Sequence, residues 1–323
     1  MKDRFLKALA CQNHEGPPPV WLMRQAGRYL PEYRELRQRY SLRELFHTPE
    51  LAAKVTLQPI ERFHFDAAIV FSDILVILEP LGYTVHFPEG KSPYVEETHT
   101  PGSVNNTLEY VAKTIALVKP QLDVPLIGFC GGPYTVARYL LGQETMMRWI
   151  ESQPQQLHAL LRRITTVTSE YLQLQAHVGV NALQIFDSWA GLLAKPLFDE
   201  FSLPYLRQLV DAAPLPTILF MRGASQYVQE LASIKPAAIS FDGQRTMKQL
   251  REETPLEIAV QGNLEPADLL SSVAEVQKKT HVLVGSMRGE PGFIVNLGHG
   301  ILPNTPLENV QAFIDTTKFL PPG

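Results

Sequence analysis

Short apolar runs recur along the chain, separated by longer stretches with helical spacing. Eight stand out: PVWLM (19–23), AAIVF (67–71), PLIGF (125–129), ALQIF (182–186), PTILFM (216–221), AAISF (237–241), EIAVQ (257–261) and HVLVG (281–285). Most are near-continuously apolar instead of alternating, the pattern of parallel strands covered on both faces. Helix signals lie between them. Thr48-Pro49-Glu50 sets a capping residue before a proline at the first helical position. Residues 152–179 carry apolar positions at helical spacing and stop at Gly179, while Glu265-Pro266-Ala267 and Thr305-Pro306 open two further helices. Eight strands alternating with helices over 323 residues predict an α/β fold, a single (β/α)8 TIM barrel forming one domain over 1–323. An open, doubly wound sheet is the alternative, but no G-x-G-x-x-G follows the first run. The crossovers are unequal, so insertions are expected in the second and third. In the second, GYTVHFPEGKSPYVEE predicts a hairpin with a Gly-Lys turn, and the third, 130–181, has room for two or three helices. No internal repeat, low-complexity tract or linker interrupts the pattern.

Composition narrows the function classes. The chain is 45% hydrophobic and 19% charged, with 29 basic against 33 acidic residues. A mildly acidic balance argues against general nucleic-acid binding, so any recognition of anions must be local. Two cysteines, Cys11 and Cys130, give no disulfide framework and fit a reducing, cytoplasmic setting. Arg4 and Lys7 break the only stretch that could imitate a leader, and no run reaches the ~20 apolar residues of a membrane span.

Barrel enzymes build their sites at the C-terminal ends of the strands. The residues following each run are Arg24, Gln25 and Arg28 after the first, Asp73 after the second, Tyr134 and Tyr139 after the third, and Asp187 and Ser188 after the fourth; Arg222, Asp242, Asn263 and His299 follow the remaining four. Residues 20–37 alone hold four arginines, Arg24, Arg28, Arg34 and Arg37, in a chain of net charge −4. Several familiar machines are missing. There is no H-x-C or C-x-x-C to hold zinc, no G-x-S-x-G elbow, no Walker loop, and no lysine directly after a strand for a Schiff base. What is left, arginines with an aspartate, tyrosines, a serine and a histidine, suits a polyanionic substrate whose reaction needs charge stabilisation and proton transfer. Each residue has a plainer explanation. Arg34 and Arg37 share a helix with Glu32 and Glu35 and could be a solvated face. Asp73 could cap a helix, Tyr139 could be helix core, and Ser188 could be an ordinary turn residue. Arg24 and Arg28 flank Gly27 at a strand end, where the glycine lets backbone approach a ligand closely or simply makes a turn, and His299 lies between Gly298 and Gly300, which suggests an exposed, precisely shaped loop.

The run WLMRQAGRYLPEYRELR resembles the N-terminal signature of the uroporphyrinogen decarboxylase family, and GFCGGPYTVARYLLG is similar to its second signature. FSDIL, FDSWAG, QGNL and NLGHGI follow in the family's order. Two places depart from the pattern: Gly142-Gln143, where an acidic residue or alanine followed by glycine is expected, and the segment around Gly243-Gln244, which lacks a tryptophan after Asp242. The resemblance implies removal of CO2 from four acetate side chains of uroporphyrinogen, without metal or organic cofactor, on one barrel that pairs as a homodimer. It further implies Asp73, Arg37 and Tyr139 as catalytic residues. Arg24, Gln25, Ala26, Gly27, Arg28, Asp73, Tyr139, Ser188 and His299 would bind the substrate, and the proton could come from Arg37, a bound water or His299. Corrinoid-dependent methyltransferases share the general fold but require a His/Cys zinc set that is absent here; a non-catalytic tetrapyrrole carrier would lack the aspartate or the arginines, all of which are present.

Overall fold

The computed structural model describes residues 3–319 apart from 89 and 99. Seven parallel strands form one curled sheet, in the order β1 (Ala68–Ile69), β4 (Leu126–Gly131), β5 (Ala182–Phe186), β6 (Thr217–Phe220), β7 (Ala238–Ser240), β8 (Ala259–Leu264) and β9 (Phe293–Leu297). Helices separate successive strands, as near-continuous apolar runs require if both sheet faces are to be covered.

The first apolar run supplies the remaining wall. Val20 bridges Val295 in parallel, and the Asp66 N–H donates to Val20 O at 2.9 Å, so the segment joins β9 to the entry of β1 and closes the ring. Only one bridge forms because side chains take over the ladder. Gln25 Oε1 accepts from the Leu22 N–H, Asn296 Oδ1 from the Met23 N–H, and Asp66 Oδ2 from the Val20 N–H. The barrel interior is packed and partly polar. Trp21 Nε1–H donates to Gln261 Oε1 at 2.9 Å, and Gln261 Nε2 donates to Gln184 Oε1 and Ser240 Oγ, all of them buried.

One predicted strand is wrong. HVLVG lies inside the helix Val273–Ser286, and the eighth strand is Phe293–Leu297. Ser272 caps that helix by accepting from the Glu275 N–H, and Val276, Thr280, Leu283 and Val284 form its buried stripe. A five-residue apolar run fits either state, and here the helical neighbours decide. The correction moves His299 closer to its strand end.

The second crossover carries the antiparallel hairpin β2 (Tyr83–His86) and β3 (Tyr94–Glu97). The third holds three helices, Pro133–Leu141, Gln143–Ser152 and Pro154–Val178, the last closed by Gly179 at φ +112°. Among the described residues, no helix is long and apolar enough to cross a membrane.

Candidate active site

Asp73 follows β1 at the C-terminal mouth. Its Oδ1 accepts the Leu75 N–H at 2.8 Å, an Asx-type turn that realises half of the capping role open in the sequence. Among the described residues, Oδ2 accepts no hydrogen bond. The side chain keeps an opening to solvent but is ringed by protein. Burial pushes its carboxyl up to about 6, against the Leu75 N–H and then Arg24, which favour the anion. At pH 7 the carboxylate therefore still predominates.

Arg24 stands beside Asp73 in the left-handed region, at φ +62°. Its stem crosses Gly300, where any Cβ would collide with Arg24 Cγ and Cδ. The glycine after His299 is thus explained by the close approach of the arginine, and Gly298 and Gly300 are buried instead of lying on the exposed loop that the sequence suggested. Gln25 is fully buried and holds the turn, its Oε1 on Leu22 N–H and its Nε2 on Ala67 O. Ala26 and Gly27 continue the turn, and their N–H groups meet no acceptor among the described residues. Arg28 is exposed.

The helix Pro31–Arg39 leans on the site through Tyr33, whose ring meets Phe71 edge-on at 5.9 Å. Arg34 braces the turn by donating to Arg28 O and Tyr29 O. Arg37 donates from Nη1 to Tyr40 O at 2.6 Å and acts electrostatically on Tyr33; the arginine acting on Asp73 is Arg24.

The opposite side of the mouth is built on β4, β5 and β6. Asp187 is buried and structural: Oδ1 accepts from the Thr135 N–H and Oδ2 from the Ser202 hydroxyl. With the Trp189 N–H donating to Thr135 Oγ1, it pins the loop after β5 to the helix that carries Tyr139. Ser188 is half-buried on this loop, and Tyr139 meets the Trp189 ring edge-on at 6.5 Å. Phe129, Phe186 and Phe220 make successive T-shaped contacts at 5.6 and 5.7 Å, and His299 packs on Phe220 at 5.6 Å. An apolar aromatic floor results, with His299 at its edge. Burial first, then Arg24 and Arg222, push the His299 imidazole down to about 4, so it is neutral at pH 7.

Arg24, Arg28, Arg138 and Arg222 all stand at this mouth, and among the described residues none has a carboxylate partner within 4 Å. Arg138 and Trp189 were missed in the candidate set, and Arg222 was noted only as a residue after a strand. The available signal was partial: a tryptophan beside Ser188 and an arginine after β6 fall at strand C-termini, whereas Arg138 lies inside the helix Pro133–Leu141. Among the described residues, no three His, Cys, Asp or Glu side chains gather where they could hold a metal ion.

The uroporphyrinogen decarboxylase (URO-D) family model matches residues 1–319. The chain is 44% identical to a uroporphyrinogen decarboxylase of Protochlamydia amoebophila, over 98% of this chain and 91% of that one. It is 39% identical to a uroporphyrinogen decarboxylase of Flavobacterium johnsoniae, over 98% of each. Among solved structures, a methyltransferase from Methanosarcina mazei matches with a TM-score of 0.82 at 21% identity, covering 98% and 97% of the two chains, a likeness of fold.

Proposed function

The chain belongs to the uroporphyrinogen decarboxylase family, and from that premise we propose that it removes CO2 from the four acetate side chains of uroporphyrinogen III, giving coproporphyrinogen III. The observation that carries the reading is the setting of Asp73: a carboxylate with one oxygen uncommitted among the described residues, beside Arg24, in a mouth where Arg28, Arg138 and Arg222 have no carboxylate within 4 Å among the described residues.

An acetate can lose CO2 only if the electron pair of the breaking C–C bond has a sink. Protonating the pyrrole α-carbon next to the one that bears the acetate makes the ring cationic and the acetate-bearing carbon electrophilic. The bond then breaks into it, leaving an exocyclic methylene. Protonation of the methylene gives the methyl, and loss of the ring proton restores the pyrrole. The net change per acetate is R–CH2–COO⁻ plus H⁺ to R–CH3 plus CO2.

Asp73, ionised at neutral pH, accepts the pyrrole N–H groups and stabilises the cation as it forms. A preorganised charge of this kind lowers the barrier by roughly 3–4 kcal/mol. The aromatic floor receives the apolar macrocycle. Arg24 and Arg28 fork onto carboxylates, with the N–H groups of Ala26 and Gly27 beside them and Gln25 holding the turn. Tyr139, Ser188 and His299 hydrogen-bond further carboxylates. Arg37 steadies the reacting acetate, and the proton comes from Arg37 or a bound water. The working form we propose is a cytoplasmic homodimer of single-domain barrels, with no cofactor; a single hydrophobic core running through the chain supports the one-domain reading.

The test is an anaerobic incubation with uroporphyrinogen III, with no metal or cofactor added, after which products are oxidised and separated by carboxylate number. A ladder from eight carboxylates to four is expected. No conversion alongside tight binding would instead mean a carrier.

A further inference from the structure

Trp189 carries two guanidinium groups. Arg138 Cζ lies 4.3 Å from its ring centroid and Arg222 Cζ 5.6 Å. A guanidinium laid on an indole uses its face and keeps its N–H donors in plane at its edge, the geometry that forks onto a carboxylate. Two cations drawn to one ring also repel each other, a repulsion that a bound anion relieves.

Both arginines are held in place. Arg138 Nη2 donates to Gln143 Oε1 at 2.9 Å, and Arg138 acts on the Tyr134 hydroxyl, partly offsetting the upward push of burial. The departure at Gly142-Gln143 from the family pattern is thus a support for Arg138. Arg222 is fixed at its backbone. A Cβ at Gly191 would fall on the Arg222 carbonyl oxygen, so only glycine lets the loops after β5 and β6 approach this closely. By strand order the group sits across the mouth from Arg24 and Arg28.

We propose that Arg138 and Arg222, ordered by Trp189, form a second carboxylate clamp that engages acidic side chains of the substrate across the mouth from Arg24 and Arg28, and so favours porphyrinogens with more carboxylates over those with fewer. The clamp rests on the uroporphyrinogen reading. It extends the binding surface to residues that touch the substrate rim, and the chemistry at Asp73 does not depend on it.

The experiment compares wild type with Arg138→Gln, Arg222→Gln and the double variant, each checked for folding by circular dichroism. Equilibrium binding of uroporphyrin (eight carboxylates) and coproporphyrin (four) is measured by fluorescence quenching, together with kcat and KM on uroporphyrinogen. Each single variant should weaken uroporphyrin binding about tenfold, the loss of one charge-assisted hydrogen bond. Coproporphyrin should lose less. The salt dependence of uroporphyrin binding should flatten, and the effect should fall on KM more than on kcat. Trp189→Leu keeps both charges but removes their platform, and should reproduce much of the loss. A folded double variant that binds uroporphyrin like wild type, or that loses both porphyrins equally, overturns the clamp alone. A wild type that neither binds nor converts uroporphyrinogen overturns the functional reading, and the clamp with it.

Discussion

Replacing Asp73 with asparagine should abolish most turnover and, in the same stroke, stabilise the fold. The carboxyl is raised from its ordinary 3.8 to about 6 because burial outweighs the Leu75 N–H and Arg24. Above both values, the folded state disfavours the ionised form by at most about 3 kcal/mol. The folded protein holds this proton more tightly than the unfolded chain does, so stability falls as pH rises from about 4 to 6 and the full cost persists above that. Asparagine is uncharged, and its Oδ1 can still accept the Leu75 N–H, so the substitution removes the cost and keeps the turn. For 323 residues unfolding with roughly 2.1 cal/mol/K each, 3 kcal/mol raises the midpoint by about 4 °C. Thermal unfolding of both proteins followed by circular dichroism at pH 4, 6.5 and 8 measures it. The gain should be near zero at the lowest pH and full at the highest. A pH-independent gain, a loss of stability at pH 8, or near-normal turnover of Asp73→Asn would refute the assigned charge state and role.

The same proton should govern activity. If the Asp73 anion is the working form, kcat/KM falls with a one-proton slope below about pH 6, and a profile flat down to pH 5 would exclude it. Arg28→Ala should raise KM about tenfold by removing a charge-assisted contact; unchanged binding would place Arg28 on a solvated face. Gly191→Ala should lower the unfolding midpoint, because the backbones of the loops after β5 and β6 must part, at about 1–3 kcal/mol for such overpacking. Trp21→Phe leaves Gln261 Oε1 buried without its donor and should cost about 1–3 kcal/mol, partly recovered when Gln261→Leu is added.

The barrel was legible because buried parallel strands write themselves as continuous apolar runs, and seven of the eight runs meet the sheet or, for PVWLM, the bridge that closes it. HVLVG misled because the exposed Val282 adjoins Leu283 and Val284 of the buried helical stripe, and three apolar residues in a row look like a strand. FIVNL was passed over although it contains the true strand, and Asn296 within it, whose side chain takes the Met23 N–H, breaks its apolar run. At the site, proximity to strand ends put Asp73, Tyr139, Ser188 and His299 on a longer list from which the resemblance singled them out; Asp73 lies beside Arg24, His299 against Phe220 and Tyr139 against Trp189. Such reasoning is blind to side chains that act on one another. Asp187 stands at a strand end like Asp73, yet its two oxygens are consumed by Thr135 and Ser202. Arg138 stands one position before Tyr139 in a helix, and only the packing on Trp189 brings it to the mouth.

The charge state of His299 decides which group can supply the proton. Burial, Arg24 and Arg222 push its imidazole down to about 4, far below neutral pH. A group that holds almost no proton at pH 7 cannot be the resident acid of the free enzyme, which leaves Arg37 or a bound water among the candidates. A neutral imidazole still has one N–H to offer a carboxylate. The two arginines that depress it are also those placed to bind substrate, so an incoming polyanion should neutralise their field and raise the His299 value. Histidine NMR on protein labelled at the imidazole nitrogens, titrated with and without uroporphyrin, reads this directly, with His299→Gln to assign the signal. A titration near 4 in the free protein that moves upward on binding is expected. A value near the ordinary 6.5 without ligand would mean that Arg24 and Arg222 do not press on the ring, and would return His299 to the candidates for the general acid.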